Sequence, residues 1–200
     1  MALSSFSFII ILRRKGEISV KKFFCAALCL LMMLSLCSCG EKPHDFREVD
    51  WGMSQNQVCK AENSDYLYAD DTLLYFSSTQ LDRACELYYE FEDGKLIGAE
   101  CKFTVEEGMI LDDFIGIYAE MRAMLCETYG QPLEDDYRVW SSEADYAEHK
   151  DDREALSIYW QYLTYATAWQ TDSSDMALTL DYKDLQINLR LHCDMRPDAE

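Results

Sequence analysis

Basic residues are scarce, and the scarcity deepens along the chain. From residue 40 onward 36 Asp and Glu face 13 Lys and Arg, a net charge of −23. Such a field repels phosphate backbones and anionic headgroups, which argues against a nucleic-acid partner. It suits a domain solvated beside a negatively charged envelope, or one that meets a basic partner. Histidine is also rare. His44 lies in a polar stretch, His149 in a charged one and His192 on the polar face of an alternating segment, and none has the sequence partner that marks a triad. The chain lacks a phosphate-cradling glycine loop and any CxxC or Cys/His zinc spacing. Asp172-Ser173-Ser174-Asp175 does not follow the calcium-loop pattern. No catalytic residue and no metal ligand is therefore assigned. Acids are so common that Glu106-Glu107, Asp112-Asp113 and Glu134-Asp135-Asp136 read as helix N-terminal charges and solvated loops.

A long apolar run is missing too. Phe23 to Leu36 is apolar for 14 residues, short of the roughly 20 a membrane-spanning helix needs. Preceded by Lys21 and Lys22, it reads as the core of a signal peptide over residues 1–38. Leu36-Cys37-Ser38-Cys39 resembles the lipobox of bacterial lipoproteins. The resemblance implies cleavage between Ser38 and Cys39 and covalent diacylglycerol on the Cys39 thiol, with no other cofactor. It also implies a lipid-anchored position on the extracytoplasmic side of the cell membrane. Two acyl chains hold where one barely does, at about 0.8 kcal/mol per buried methylene. Residues 1–19 do not fit such a signal, and translation from Val20 rather than Met1 would give a regular one.

Nine cysteines suggest a disulfide framework until they are sorted. Cys25, Cys29 and Cys37 leave with the signal and Cys39 carries lipid. Cys59, Cys85, Cys101, Cys126 and Cys193 remain, an odd set whose pairing stays open.

After a tether at 39–45, hydrophobic spacing predicts elements. Ser54 to Glu62 is a short capped helix with Val58 inward. Tyr66–Ala69 and Leu73–Ser77 form a hairpin. Cys85, Leu87, Tyr89 and Phe91 alternate with polar partners, and Glu92-Asp93-Gly94-Lys95 turns the chain. A three-residue loop there sets Phe91 against Lys95 and Cys85 against Cys101. Leu111, Phe114, Ile115, Tyr118, Met121, Arg122, Leu125 and Tyr129 mark one long helix, stopped by Gly130. Tyr137–Ser141 is a strand, Ser142–Asp152 an exposed excursion and Arg153–Tyr162 a short helix. Strands follow at Tyr165–Thr171, around Met176–Tyr182, and over Leu185–Cys193 after a Lys183-Asp184 turn. Residues 194–200 fray. Helix plus four strands occurs twice, over 46–108 and 109–193. The expected fold is α+β: an antiparallel sheet with helices on one face, arranged as a tandem αββββ repeat.

Phe46-Arg47-Glu48-Val49-Asp50-Trp51-Gly52-Met53-Ser54, with Val58 following, resembles the opening of small envelope lipoproteins. Tyr129-Gly130-Gln131-Pro132, Trp140 and Thr167-Ala168-Trp169-Gln170-Thr171 are similar to stretches in Gram-positive lipoproteins. The architecture is similar to the β-lactamase-inhibitor-protein-like and BamE-like group of αβ modules. That resemblance implies protein binding rather than catalysis, and it carries no binding residues over. The inhibitor's two disulfides have no matching spacing here.

Aromatic residues are abundant. All 13 tyrosines and four tryptophans fall past residue 39. If Tyr89 and Phe91 face inward, Tyr88 faces out, and Tyr66 and Tyr68 join it in a candidate recognition surface. The expected role is a lipid-anchored, non-catalytic module for a protein or envelope component. The competing readings are a cell-wall hydrolase using paired carboxylates and a structural spacer.

Overall fold

The structure is a computed structural model that describes residues 42–197. The predicted signal, the Ser38-Cys39 cleavage pair and lipidation at Cys39 lie outside the described residues, as do positions 198–200.

Ser54 opens α1 (Gln55–Glu62), where the Ser54 backbone N–H donates to Gln57 Oε1 at 2.9 Å. Val58 points inward, and Asn63 closes the helix in the left-handed conformation. A meander follows: β1 (Tyr68–Ala69), β2 (Leu73–Gln80), β3 (Arg83–Glu92) and β4 (Lys95–Phe103). The chain then crosses through α2 (Leu111–Tyr129) to β5 (Arg138–Trp140), α3 (Glu143–His149) and α4 (Glu154–Tyr159). It returns through β6 (Leu163–Gln170), β7 (Ser174–Lys183) and β8 (Gln186–Met195).

The strands form one eight-stranded antiparallel sheet in the order β1-β2-β3-β4-β8-β7-β6-β5. The fold is α+β, as the alternation predicted. The two meanders join at a central seam, where Gly98–Lys102 of β4 pairs with Asp194–Arg190 of β8.

One face of this sheet is covered. Leu74 and Phe76 of β2, Leu87 and Tyr89 of β3, and Leu178 and Leu180 of β7 all turn to it and are buried. Phe114, Ile117, Tyr118, Met121 and Leu125 of α2 pack over them. The sequence stripe on α2 missed Ile117. Large side chains such as Trp169 and Tyr165 each add about 1.5–3 kcal/mol on burial and are fully enclosed. Tyr118 hydroxyl satisfies itself on Thr167 Oγ1 at 2.6 Å. Among the described residues the buried hydrophobic side chains run from Phe46 to Cys193.

Several local expectations need correction. The β3–β4 turn is a two-residue one, with Asp93 and Gly94 both left-handed (φ 50° and 74°), which matches the twist of an antiparallel pair. That turn sets Phe91 against Leu96, and a bulge then shifts the register between Phe91 and Glu90, so Tyr89 faces Ala99 and Cys85 faces Phe103. Cys101 lies opposite Leu87 instead. All five cysteines of the described residues are free thiols. Ser142–Asp152 is not a bare excursion: Ser142 Oγ accepts from Asp145 N–H and starts α3. The β7–β8 turn is Asp184-Leu185, both left-handed, so Leu185 belongs to the turn and not the strand. β8 continues past Cys193 to Met195, and the Arg196 N–H donates to Ser173 O at 2.9 Å.

Candidate recognition surface on the open sheet face

The other sheet face carries the side chains that alternate out of the core. Pairing lines them up in rows. One row runs Tyr68, Tyr75, Tyr88, Glu100, His192, Ala177, Ala168 across seven strands. The next runs Ser77, Glu86, Lys102, Arg190, Thr179, Ala166. Tall aromatic and charged groups over β1–β4 therefore border a low floor of Ala and Thr over β6 and β7.

Stacking and hydrogen bonding concentrate at the tyrosine end. Tyr75 and Tyr88 stack with centroids 4.9 Å apart and planes 16° from parallel. Both hydroxyls donate to Glu86, Tyr75 to Oε1 and Tyr88 to Oε2, each at 2.8 Å. These two bonds hold the Glu86 carboxyl below its usual range. Burial, followed by the hydrogen bond to Glu86 and then its charge, pushes the Tyr88 phenol well up. Tyr68 sits beside Tyr75 with half its surface exposed and donates to Asp70 at 2.8 Å. Asp70 is drawn down to about 2, first by the Thr72 backbone N–H and then by the Tyr68 and Thr72 hydroxyls.

The structure thus brings Tyr68 and Tyr88 of the predicted set onto one row. Tyr66 is exposed but precedes β1, outside the ladder. Sequence reasoning missed Tyr75, which sits between them. Leu73-Leu74-Tyr75-Phe76 is a continuous apolar run, so its inward and outward positions are settled only by pairing with β3.

At the seam, His192 Nε2 lies 3.0 Å from Asp194 Oδ2 and Nδ1 lies 3.6 Å from Glu100 Oε2. The second distance is beyond a direct hydrogen bond, so that attraction is one of charge. Glu100 chiefly, with Asp194, raises the imidazole against the opposing effect of burial. The other histidines stand apart. His149 stacks on Tyr162 at 4.2 Å and contacts Asp152, while His44 contacts Asp50.

A cleft of about 510 Å³ lies on the covered side, between α2 and the segment before α1. Its floor residues Cys101, Met121 and Cys193 are almost wholly enclosed. Among the described residues no three His, Cys, Asp or Glu side chains converge on a metal position, and no helix is long and apolar enough to cross a membrane.

No family model matches the chain, and searches of curated proteins and of solved structures find no significant relative.

Proposed function

We propose that this chain is a lipid-anchored extracytoplasmic module that binds a protein or envelope component through the open face of its sheet, without chemistry. The observation that carries the reading is the Tyr75–Tyr88 stack clamped on Glu86. Rigid aromatic rings with a fixed polar edge are what binding hot spots use, because little conformational freedom is lost on docking. The lipobox at Leu36–Cys39 supplies the anchor, and the acidic charge keeps the module clear of anionic headgroups.

The module is a tandem of two αββββ units. The order β1-β2-β3-β4 mirrored by β5-β6-β7-β8 supports this, with α1 before the first quartet and α2 before the second. So do the matching left-handed turns Asp93-Gly94 and Asp184-Leu185, which close the last hairpin of each unit.

The test is a pull-down from detergent-solubilised membranes, with the acylated protein as bait beside its Tyr75→Ala/Tyr88→Ala form. A partner retained by the first and lost by the second is the expected result; equal capture by both overturns the open face as the site. Mass spectrometry of the purified protein should show acyl mass on Cys39. A Cys39→Ser form that stays as firmly on the membrane would overturn the anchor.

A further inference from the structure

The β4–β8 ladder stops at Lys102 opposite Arg190. Beyond that point each strand still pairs with its outer neighbour, β4 to Phe103 against β3 and β8 to Gln186 against β7. The two strands therefore part, and a notch of about 430 Å³ opens between them. Phe103, Val105, Tyr182, Leu185 and Ile187 make its walls, while Lys102 and Glu86 are its charged groups. Its size and its mostly apolar lining with a few polar groups belong to small-ligand sites, which run from about 300 to 1,000 Å³.

Two features say what it would hold. Lys102 and Arg190 are direct cross-strand partners, and like charges so placed destabilise a sheet. Arg190 is drawn to Asp181 at 3.5 Å. Lys102 makes no ion pair among the described residues. Glu86, its register partner on β3, gives both oxygens to Tyr75 and Tyr88. The notch thus ends in the Lys102 ammonium, which has no direct ion-pair partner among the described residues and only the longer-range charge of Glu86 beside it, with the Arg190 guanidinium across from it. Distant acids weigh little there, since charge is screened over about 8 Å at physiological salt. The second feature is Leu185 at the mouth, 85% exposed and left-handed at φ 63°. Glycine is the favoured residue in such a turn, so the fold forgoes stability to keep an apolar side chain at the rim.

We infer that the notch between β4 and β8 binds an apolar body bearing one carboxylate, seated on Val105 and Ile187 with its charge on Lys102. This chemistry belongs to small aliphatic or aromatic acids and to the carboxyl terminus of an apolar peptide. The inference goes beyond the protein-binding reading and stands without it.

Amide chemical shifts of the chain from residue 39, carrying Cys39→Ser, test it. The probes are octanoate, octan-1-ol, and acetyl-Ala-Ala-Leu with a free or an amidated terminus. At least one carboxylate probe should move the amides of Lys102, Val105 and Ile187, about tenfold more tightly than its uncharged counterpart. Lys102→Met should erase that difference, and Val105→Trp should fill the notch and abolish binding with the remaining spectrum intact. Octanoate alone assigns a small acid, and the free tripeptide alone assigns a peptide terminus. The inference is overturned if neither carboxylate probe shifts these amides, if octan-1-ol and the amide match their acids, or if Lys102→Met binds as before.

Discussion

Arg47 and Glu62 form an ion pair sunk beside the core, with Nε 3.2 Å from Oε1 and the glutamate side chain only 3% exposed. Arg47 also donates to Thr79 O, which ties the segment before α1 to the end of β2, and the Tyr89 hydroxyl donates to the same carboxylate. Removing one partner leaves a buried charge without compensation, at a cost of about 3 kcal/mol. Arg47→Met should lower the unfolding free energy by about that much in urea titration. The double change Arg47→Met/Glu62→Leu should recover part of the loss.

Leu185 sits at φ 63° in a turn that favours glycine. Leu185→Gly removes the steric penalty and gives an Asp-Gly turn, so it should raise stability by about 1 kcal/mol. A higher urea midpoint with unchanged slope is the expected readout. A loss of stability would mean that the exposed leucine packs against the rim more than its surface suggests.

Glu86 accepts from both stacked tyrosines, and its charge adds to burial in raising the Tyr88 phenol. Glu86→Gln keeps the shape and removes the charge. Tyrosinate absorbance followed through alkaline titration should then show Tyr88 ionising at lower pH than in the parent protein. An unchanged curve would leave burial as the whole cause.

His192 is held above the ordinary imidazole value of about 6.5 by Glu100, with Asp194 assisting. Because the folded value is the higher one, the protonated ring stabilises the fold fully below about pH 6.5. That contribution is lost as pH rises through the folded value. Stability should therefore fall across that interval in the parent and stay flatter in His192→Asn. Imidazole proton shifts report the midpoint directly.

The thiols divide by burial. Cys85, Cys101 and Cys193 are enclosed, whereas Cys59 and Cys126 are half-buried. Burial also raises the thiols of Cys59 and Cys193, which slows their attack on reagent. A disulfide reagent should label Cys126 and Cys59 in the folded protein and reach the other three only on unfolding.

What the sequence determined by itself is whatever a short window encodes. The 3.6-residue spacing marked α2 from Leu111 to Tyr129, and period-2 alternation marked β3, β7 and most of β8. Acid excess and the scarcity of histidine described the kind of surface, and Tyr68 and Tyr88 were legible as outward residues. Tertiary structure decided the rest, because it depends on contacts between distant segments. A two-residue turn in place of a three-residue one and a bulge at Glu90/Phe91 each shift the register by one, and together they moved Cys85 from Cys101 to Phe103. The apolar run around Tyr75 has no parity of its own, so only pairing with β3 turned that ring onto Tyr88. The seam that sets His192 beside Glu100, and the notch beneath Lys102, exist because α2 carries the second meander to the far edge and β8 returns to the middle. No local pattern encodes that order; burial of both apolar faces under one helical layer does.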